Sequence, residues 1–133
     1  MHHKDTKGTK EEANRLSRAI LGAAIEVHRH LGPGLLESAY ETCLAHELSV
    51  RHIPFERQKG LPLRYKGVTL DCGYRLDLLV GGLVIVELKA VDTILGIHEA
   101  QLLTYLRITG LWLGMLLNFN ERVLKYGIRR IVN

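Results

Sequence analysis

The sequence predicts one α/β domain in which helices flank a mixed central β-sheet. Two observations indicate it: the first fifty residues carry apolar side chains at helical spacing, and later residues form short apolar segments separated by glycines. The chain has 133 residues, enough for a single domain with a hydrophobic core. The order of helices, antiparallel strands, a further helix and another strand is typical of an α/β sandwich.

Two helices are predicted before the strands. The first begins near Glu11 and must end at Gly32-Pro33-Gly34. The second covers about 35–50 and carries apolar residues for a buried face. Residues 1–10 are polar, so we expect a flexible N-terminal tail there and a folded domain over 11–133. The apolar positions of the first helix are Leu16, Ile20, Ala23, Ala24, Val27 and Leu31.

Apolar segments bounded by turn residues predict the strands of the sheet. Segments 61–65 and 68–72 flank Lys66-Gly67, a pair that suits a hairpin turn. Two further strands carry Asp77 and Glu87, with Gly81-Gly82 between them. These two strands are very apolar, so we expect them to be buried in the sheet.

The remainder of the chain predicts one helix and two extended segments. A helix capped by Asp92 or Thr93 covers 96–109 and ends at Gly110. Segment 111–117 is short and apolar, which favours a buried strand, and 123–132 is predicted as a last extended or mixed segment.

Composition narrows the range of functions. The net charge of +4 and the excess of arginine, 11 to 7 lysines, favour a polyanionic partner weakly. Cys43 and Cys72 have no CxxC spacing, so neither a zinc site nor a disulfide framework is predicted, and a reduced cytoplasmic setting is the default. The chain contains no apolar run of about 18 residues and no signal peptide, so we expect no membrane association.

The most informative residues are Asp77 and, ten positions later, Glu87-Leu88-Lys89. Ionisable side chains in apolar strands are costly to desolvate unless they are paired. A divalent cation between the two carboxylates would offset that cost, with the carbonyl of Leu88 as a further ligand. Lys89 lies on the same side of its strand as Glu87 and could orient or deprotonate an attacking water. This arrangement predicts a site that cleaves phosphodiesters.

A structural interpretation of the same residues stays open at this point. Asp77 and Lys89 could form an ordinary cross-strand ion pair, with Glu87 at a solvated edge of the sheet. The apolar residues around these positions favour the functional interpretation, because an exposed strand face normally alternates polar and apolar residues.

The length of the turn between the two strands decides whether the site exists. A strict two-residue loop at Gly81-Gly82 would place Asp77 and Glu87 on opposite faces of the sheet. We therefore predict a three-residue loop or a bulge, for instance over 80–82 with Gly82 at positive φ.

Two helix faces offer further candidates. Glu37 and Tyr40 lie three residues apart at the start of the second helix, where Glu37 either joins the metal shell or only favours the helix dipole. His98, Gln101 and Tyr105 share a face of the third helix and could contact a substrate, although such residues on an amphipathic helix are more often structural.

These motifs resemble a known family. Asp77, Glu87-x-Lys89 and Gln101-x-x-x-Tyr105 are similar to the PD-(D/E)XK nuclease superfamily, in particular its exonuclease-like branch with a Gln-x-x-x-Tyr motif. The segment from Gly34 to Tyr40 resembles the GxxExxY signature of a small bacterial and archaeal family assigned to that superfamily. The resemblance covers about 13–133 and departs from the pattern in having leucine rather than proline before the aspartate.

The resemblance implies a restriction-endonuclease-like core, a Mg²⁺ cofactor that Mn²⁺ can replace, and a nucleic-acid substrate, with DNA favoured. It implies that Asp77 and Glu87 are metal ligands, that Lys89 is the catalytic lysine and that Glu37 is an auxiliary acid. It implies substrate-side roles for Gln101 and Tyr105, and we expect Tyr40 and His98 to contact the substrate as well.

Other classes of function stay open beside the nuclease hypothesis. A nucleic-acid-binding or partner-binding module could have kept the fold and lost turnover. A homo-oligomeric scaffold with buried ion pairs is a third possibility. A homodimer is compatible with the size of the chain, but no signal in the sequence supports it.

Overall fold

The computed structural model describes residues 7–133. These residues form a mixed five-stranded sheet with helices on both faces, so the predicted α/β fold with a restriction-endonuclease-like core is confirmed. None of the helices formed by this part of the chain has the length and apolar character that crossing a bilayer requires. The elements are α1 (Lys7–Leu31), α2 (Glu37–Val50), β1 (Phe55–Gly60), β2 (Leu63–Tyr65), β3 (Val68–Leu70), β4 (Arg75–Val80), β5 (Val84–Lys89), α3 (Gly96–Thr109), β6 (Leu113–Asn118), a 3₁₀ turn (Leu124–Gly127) and β7 (Ile128–Val132).

The first helix differs from its prediction at the N-terminus. It begins at Lys7, so residues 7–10, expected to belong to a flexible tail, are helical. Residues 1–6 of the predicted tail lie outside the described residues. The helix ends at Leu31, and Gly32 and Gly34 follow with positive φ angles of 67° and 101°. Glycine adopts this left-handed region without steric penalty, which explains why the helix stops there.

The sheet has the strand order β1-β4-β5-β6-β7. Strands β5 and β6 are parallel, whereas the other neighbouring strands are antiparallel. A parallel pair needs a crossover connection, and α3 provides it. This helix covers 96–109 and ends at Gly110 in the left-handed conformation, as the sequence predicts. Its N-cap is Leu95 and not Asp92 or Thr93.

The two faces of the sheet carry separate hydrophobic cores. The helices α1 and α2 pack against one face, and α3 packs against the other. Residues alternate between these faces along β5, because successive side chains of a strand point to opposite sides. The first core includes Ile20, Leu44, Val86 and Leu88, and the second includes Ile85, Leu102 and Leu106.

The predicted hairpin around Lys66-Gly67 is confirmed, with Tyr65 paired to Val68 across a two-residue turn. Both turn residues have positive φ, 50° for Lys66 and 81° for Gly67, as a type I′ turn requires. The hairpin forms a separate two-stranded sheet beside the main one.

Candidate active site

The β4–β5 connection brings the two predicted acids together. Val80 pairs with Val84, so the loop has three residues, Gly81, Gly82 and Leu83, and the predicted odd-length loop is confirmed. Gly82 has a positive φ of 69°, as expected, although the loop lies one residue further along than 80–82. The last pair of the ladder is Leu78 with Val86, and Asp77 and Glu87 are the next residues on the two strands.

Each of the two carboxylates accepts a hydrogen bond from the backbone of the other strand. Oε2 of Glu87 accepts from the N–H of Asp77, and Oδ2 of Asp77 accepts from the N–H of Leu88, both at 2.9 Å. The second oxygen of Glu87, Oε1, has no hydrogen-bond partner within residues 7–133. The backbone therefore fixes both side chains and leaves oxygen lone pairs directed elsewhere.

The carbonyl of Leu88 lies where the β4–β5 ladder has ended. The last paired residues of this ladder are Leu78 and Val86. Because the N–H of Leu88 is directed towards Asp77, the carbonyl of the same residue is also on the β4 side of the strand, past the last pair. The part of this carbonyl in a metal site stays a prediction.

Burial and mutual repulsion raise the carboxyl pKa values in this cluster. Burial, followed by repulsion from Asp77, raises the pKa of Glu87 to about 8, although the Asp77 N–H and Lys89 oppose the shift. Burial also raises the pKa of Asp77, and Glu41 adds to the effect. The side chain of Glu37 is exposed, yet partial burial and then Asp77 raise its pKa as well. The cluster therefore favours added positive charge.

Lys89 faces this cluster without pairing to any one of its acids. The side chain is half-buried, and no carboxylate oxygen of residues 7–133 lies within 4.0 Å of its ammonium group. Glu87 has only 6% of its surface exposed. The alternative of an Asp77–Lys89 ion pair with Glu87 at a solvated edge therefore does not describe the structure.

Tyr40 holds the loop that precedes Glu37. Its side chain is fully buried and stacks on Phe119, with ring centroids 4.8 Å apart. Its hydroxyl donates to the carbonyl of Gly32 at 2.6 Å and accepts from the N–H of Leu35 at 3.1 Å. These contacts direct Tyr40 into the core and fix the chain that enters α2, which differs from the expected substrate contact.

The three predicted residues of α3 lie in different environments. Tyr105 is buried, and burial followed by repulsion from Glu87 raises its pKa. Gln101, one turn earlier, is exposed. His98 instead caps the helix, because its Nδ1 accepts from the N–H of Leu95 at 3.0 Å.

Comparison with known protein families identifies the family to which the chain belongs. Residues 14–131 match the family model described as the PD-(D/E)XK nuclease superfamily. The chain belongs to this superfamily. Neither the comparison with curated proteins nor the comparison with solved structures gives a significant match. The more specific GxxExxY resemblance still rests on the motif from Gly34 to Tyr40.

The chemistry of the donors suits the divalent metals that PD-(D/E)XK nucleases typically use. Within residues 7–133 no group of three or more His, Cys, Asp or Glu side chains is arranged to hold a metal ion. The predicted set instead combines two carboxylates, from Asp77 and Glu87, with the carbonyl of Leu88, and such oxygens are the ligands Mg²⁺ prefers. The unpartnered Oε1 of the nearly buried Glu87 is the observation that favours a cation here.

Two polar residues that the sequence does not predict lie beside this site. Glu41 has 7% of its surface exposed and pairs with Arg57 at 3.1 Å. Gln58 donates from Nε2 to Oε1 of Glu41 at 2.9 Å, and the same nitrogen is 3.5 Å from Oδ1 of Asp77. The four-residue spacing from Glu37 was an available signal for Glu41, whereas no pattern along the chain indicates Gln58.

Proposed function

We propose that this chain is a metal-dependent nuclease that hydrolyses phosphodiester bonds of nucleic acid, with DNA as the favoured substrate. The observation that carries this proposal is the pair of hydrogen bonds by which Asp77 and Glu87 each bind the backbone of the other strand, just past the end of the β4–β5 ladder. Membership of the PD-(D/E)XK superfamily supports the same class of reaction.

Asp77, Glu87 and the carbonyl of Leu88 would hold Mg²⁺, with Mn²⁺ as a substitute. When bound, the ion activates water and neutralises charge on the phosphoryl oxygens. The hydrogen bonds from the backbone N–H groups orient both carboxylates before any ion arrives. Glu37, in the first turn of α2, is the auxiliary acid that would bind the ion directly or through water.

Lys89 orients or deprotonates the attacking water, or stabilises charge that develops on the phosphoryl group. Its ammonium group can orient the water and stabilise charge because no acid of residues 7–133 pairs with it within 4.0 Å, whereas deprotonating the water requires the neutral amine. Tyr105 and the exposed Gln101 lie on the α3 side and would contact the substrate. Tyr40 and His98 act as positioning residues in this proposal, since each makes hydrogen bonds to the backbone of its own region.

The site lowers the stability of the fold, which argues against the alternative of a binding module that no longer catalyses a reaction. A nearly buried Glu87 next to Asp77 destabilises the metal-free protein. Lys89 forms no ion pair with either acid that would offset this cost. Residues that lower stability persist where function needs them. An inactive module would gain stability by replacing Glu87 with glutamine.

The experiment compares wild type with Asp77→Asn and Lys89→Met on linear and circular single-stranded and double-stranded DNA, and on RNA, in Mg²⁺ or Mn²⁺. Glu56→Gln, at an exposed position on β1, is the matched control. We expect wild type and control to cleave and the two site variants to lose most of the activity. Equal activity in all four proteins would contradict the proposed mechanism. Cleavage of circular substrates would identify an endonuclease.

A further inference from the structure

An unusual backbone conformation interrupts β1 directly opposite Asp77. Arg57 pairs with Leu78, and Lys59 pairs with Leu76 in the same register, so the residue facing Asp77 is Gln58. That one pair is missing from the ladder, and Gln58 has a φ of +48°. A side chain in this left-handed region strains the backbone and persists only where surrounding contacts fix it.

This conformation is unusual for its place in the fold. Among residues 7–133, the other non-glycine residues with positive φ are His52 and Lys66, and both lie in turns. Turns require such angles, whereas the interior of a strand does not. Gln58 is therefore strained at a position where regular pairing was available to it.

The strained residue directs its amide group between two carboxylates. Nε2 of Gln58 donates to Oε1 of Glu41 at 2.9 Å and lies 3.5 Å from Oδ1 of Asp77. Glu41 is nearly buried, and Arg57 holds its other oxygen through Nε at 3.2 Å and Nη2 at 3.1 Å. Because Glu41 is fixed in this way, it orients the amide nitrogen of Gln58 towards Asp77.

These contacts complete the orientation of the Asp77 carboxylate. Its Oδ2 accepts from the N–H of Leu88, and its Oδ1 faces Gln58. A carboxylate offers about four lone-pair directions, so two remain after these contacts. Without the amide of Gln58, Asp77 would face Glu41 with no donor between the two like charges.

We propose that Gln58 is a positioning residue, which together with Glu41 orients the Asp77 carboxylate for a divalent cation. The inference rests on the proposed function, since it concerns the ligand geometry of the same site. Groups that orient metal ligands typically contribute about 10- to 100-fold to metal affinity or activity.

The test separates the strain of Gln58 from its amide contact. Gln58→Gly removes the side chain and accepts a φ of +48° without strain, and Gln58→Asn tolerates that φ but has an amide too short to reach both acids. We expect both variants to melt within about 3 °C of wild type or above it. Mn²⁺ alone is the probe, and isothermal titration gives its dissociation constant for wild type, both variants, Asp77→Asn and the control Glu56→Gln.

We expect the dissociation constant for Mn²⁺ to rise at least about tenfold in both Gln58 variants and to stay unchanged in Glu56→Gln. At saturating Mn²⁺, kcat should fall while KM for DNA changes less than about threefold, which a purely structural role of Gln58 would not produce. Mn²⁺ binding that needs Asp77 but is equal in wild type and both Gln58 variants would overturn this inference alone. Absence of Asp77-dependent Mn²⁺ binding in wild type would overturn the proposed function and, with it, this inference.

Discussion

Asp77 and Glu87 each bind the strand that carries the other: Glu87 accepts from the N–H of Asp77, and Asp77 accepts from the N–H of Leu88. On each strand a backbone N–H next to the end of the β4–β5 ladder thus donates a hydrogen bond to a carboxylate oxygen. The acids are therefore held at the position where β4 and β5 stop pairing. Under the proposed function, stability, metal binding and activity would therefore depend on the same few atoms.

Glu87→Gln should flatten the pH dependence of stability in the metal-free protein. The pKa of Glu87 is raised to about 8, above its ordinary value of 4.5, so the folded state binds the proton more tightly than the unfolded state does. Its contribution to stability is fully present below about pH 4.5 and is lost as the pH rises through about 8. The free energy of unfolding of the metal-free wild type should therefore fall by up to about 4 kcal/mol between pH 5 and 8. The raised pKa values of Asp77 and Glu37 act in the same direction.

Urea unfolding at several pH values in the presence of a chelator measures this effect. Glutamine keeps an oxygen that can accept from the N–H of Asp77, so the fold should persist. At pH 8 the variant should be more stable than wild type. Parallel stability curves for the two proteins would show that Glu87 titrates normally.

Lys89→Met should separate chemistry from metal binding. Methionine has a similar length and no charge, and no ion pair of residues 7–133 is lost with the ammonium group. We expect single-turnover cleavage to slow by about 10²- to 10⁴-fold, the usual contribution of a proton-transfer group. Mn²⁺ affinity should stay within about threefold or increase, because a cation near the ligands is removed. Lys59→Met, at an exposed position of β1, should behave as wild type; loss of metal binding in Lys89→Met would instead assign the lysine a structural role.

Tyr40→Phe should destabilise the loop before Glu37 without disturbing the core. The phenyl ring can still stack on Phe119, whereas the carbonyl of Gly32 and the N–H of Leu35 lose their partner. We expect a loss of about 1–2 kcal/mol in the free energy of unfolding, together with lower activity. Tyr126→Phe, at a side chain with 64% of its surface exposed, is the control and should change stability by less than about 0.5 kcal/mol. Equal stability of the two variants would mean that water replaces the hydroxyl of Tyr40.

Alanine at the two loop glycines should have unequal effects. Both glycines have positive φ, so either substitution strains the backbone by about 1 kcal/mol. A Cβ at Gly82 would have no atom within 4 Å, whereas at Gly81 it would lie 2.7 Å from Cδ1 of the buried Leu16. Gly81→Ala should therefore cost about 1 kcal/mol more than Gly82→Ala in thermal or urea unfolding. A larger loss for Gly82→Ala would contradict the loop geometry.

Local patterns in the sequence were sufficient for much of the fold. The bounds of α3, the hairpin at Lys66-Gly67 and the odd-length loop after Val80 depend on neighbouring residues, glycines and alternation, so they were predictable. Asp77 and Glu87 were recognisable because charges are unusual in such apolar strands. The start of α1 was missed because polar residues 7–10 carry no apolar periodicity, although they are helical.

Tertiary structure alone decided what surrounds the acids. Glu41 and Gln58 belong to separate elements, 17 residues apart, and only the packing of α2 against β1 brings their side chains to 2.9 Å. The hydroxyl of Tyr40 and the ring of His98 bind nearby backbone because of the exact course of the chain at each helix start. The sequence by itself determined which residues are candidates for the chemistry, since residue type and strand period are local properties. The geometry of the hydrogen bonds that orient them depends on contacts between distant segments, and only the folded chain establishes those contacts.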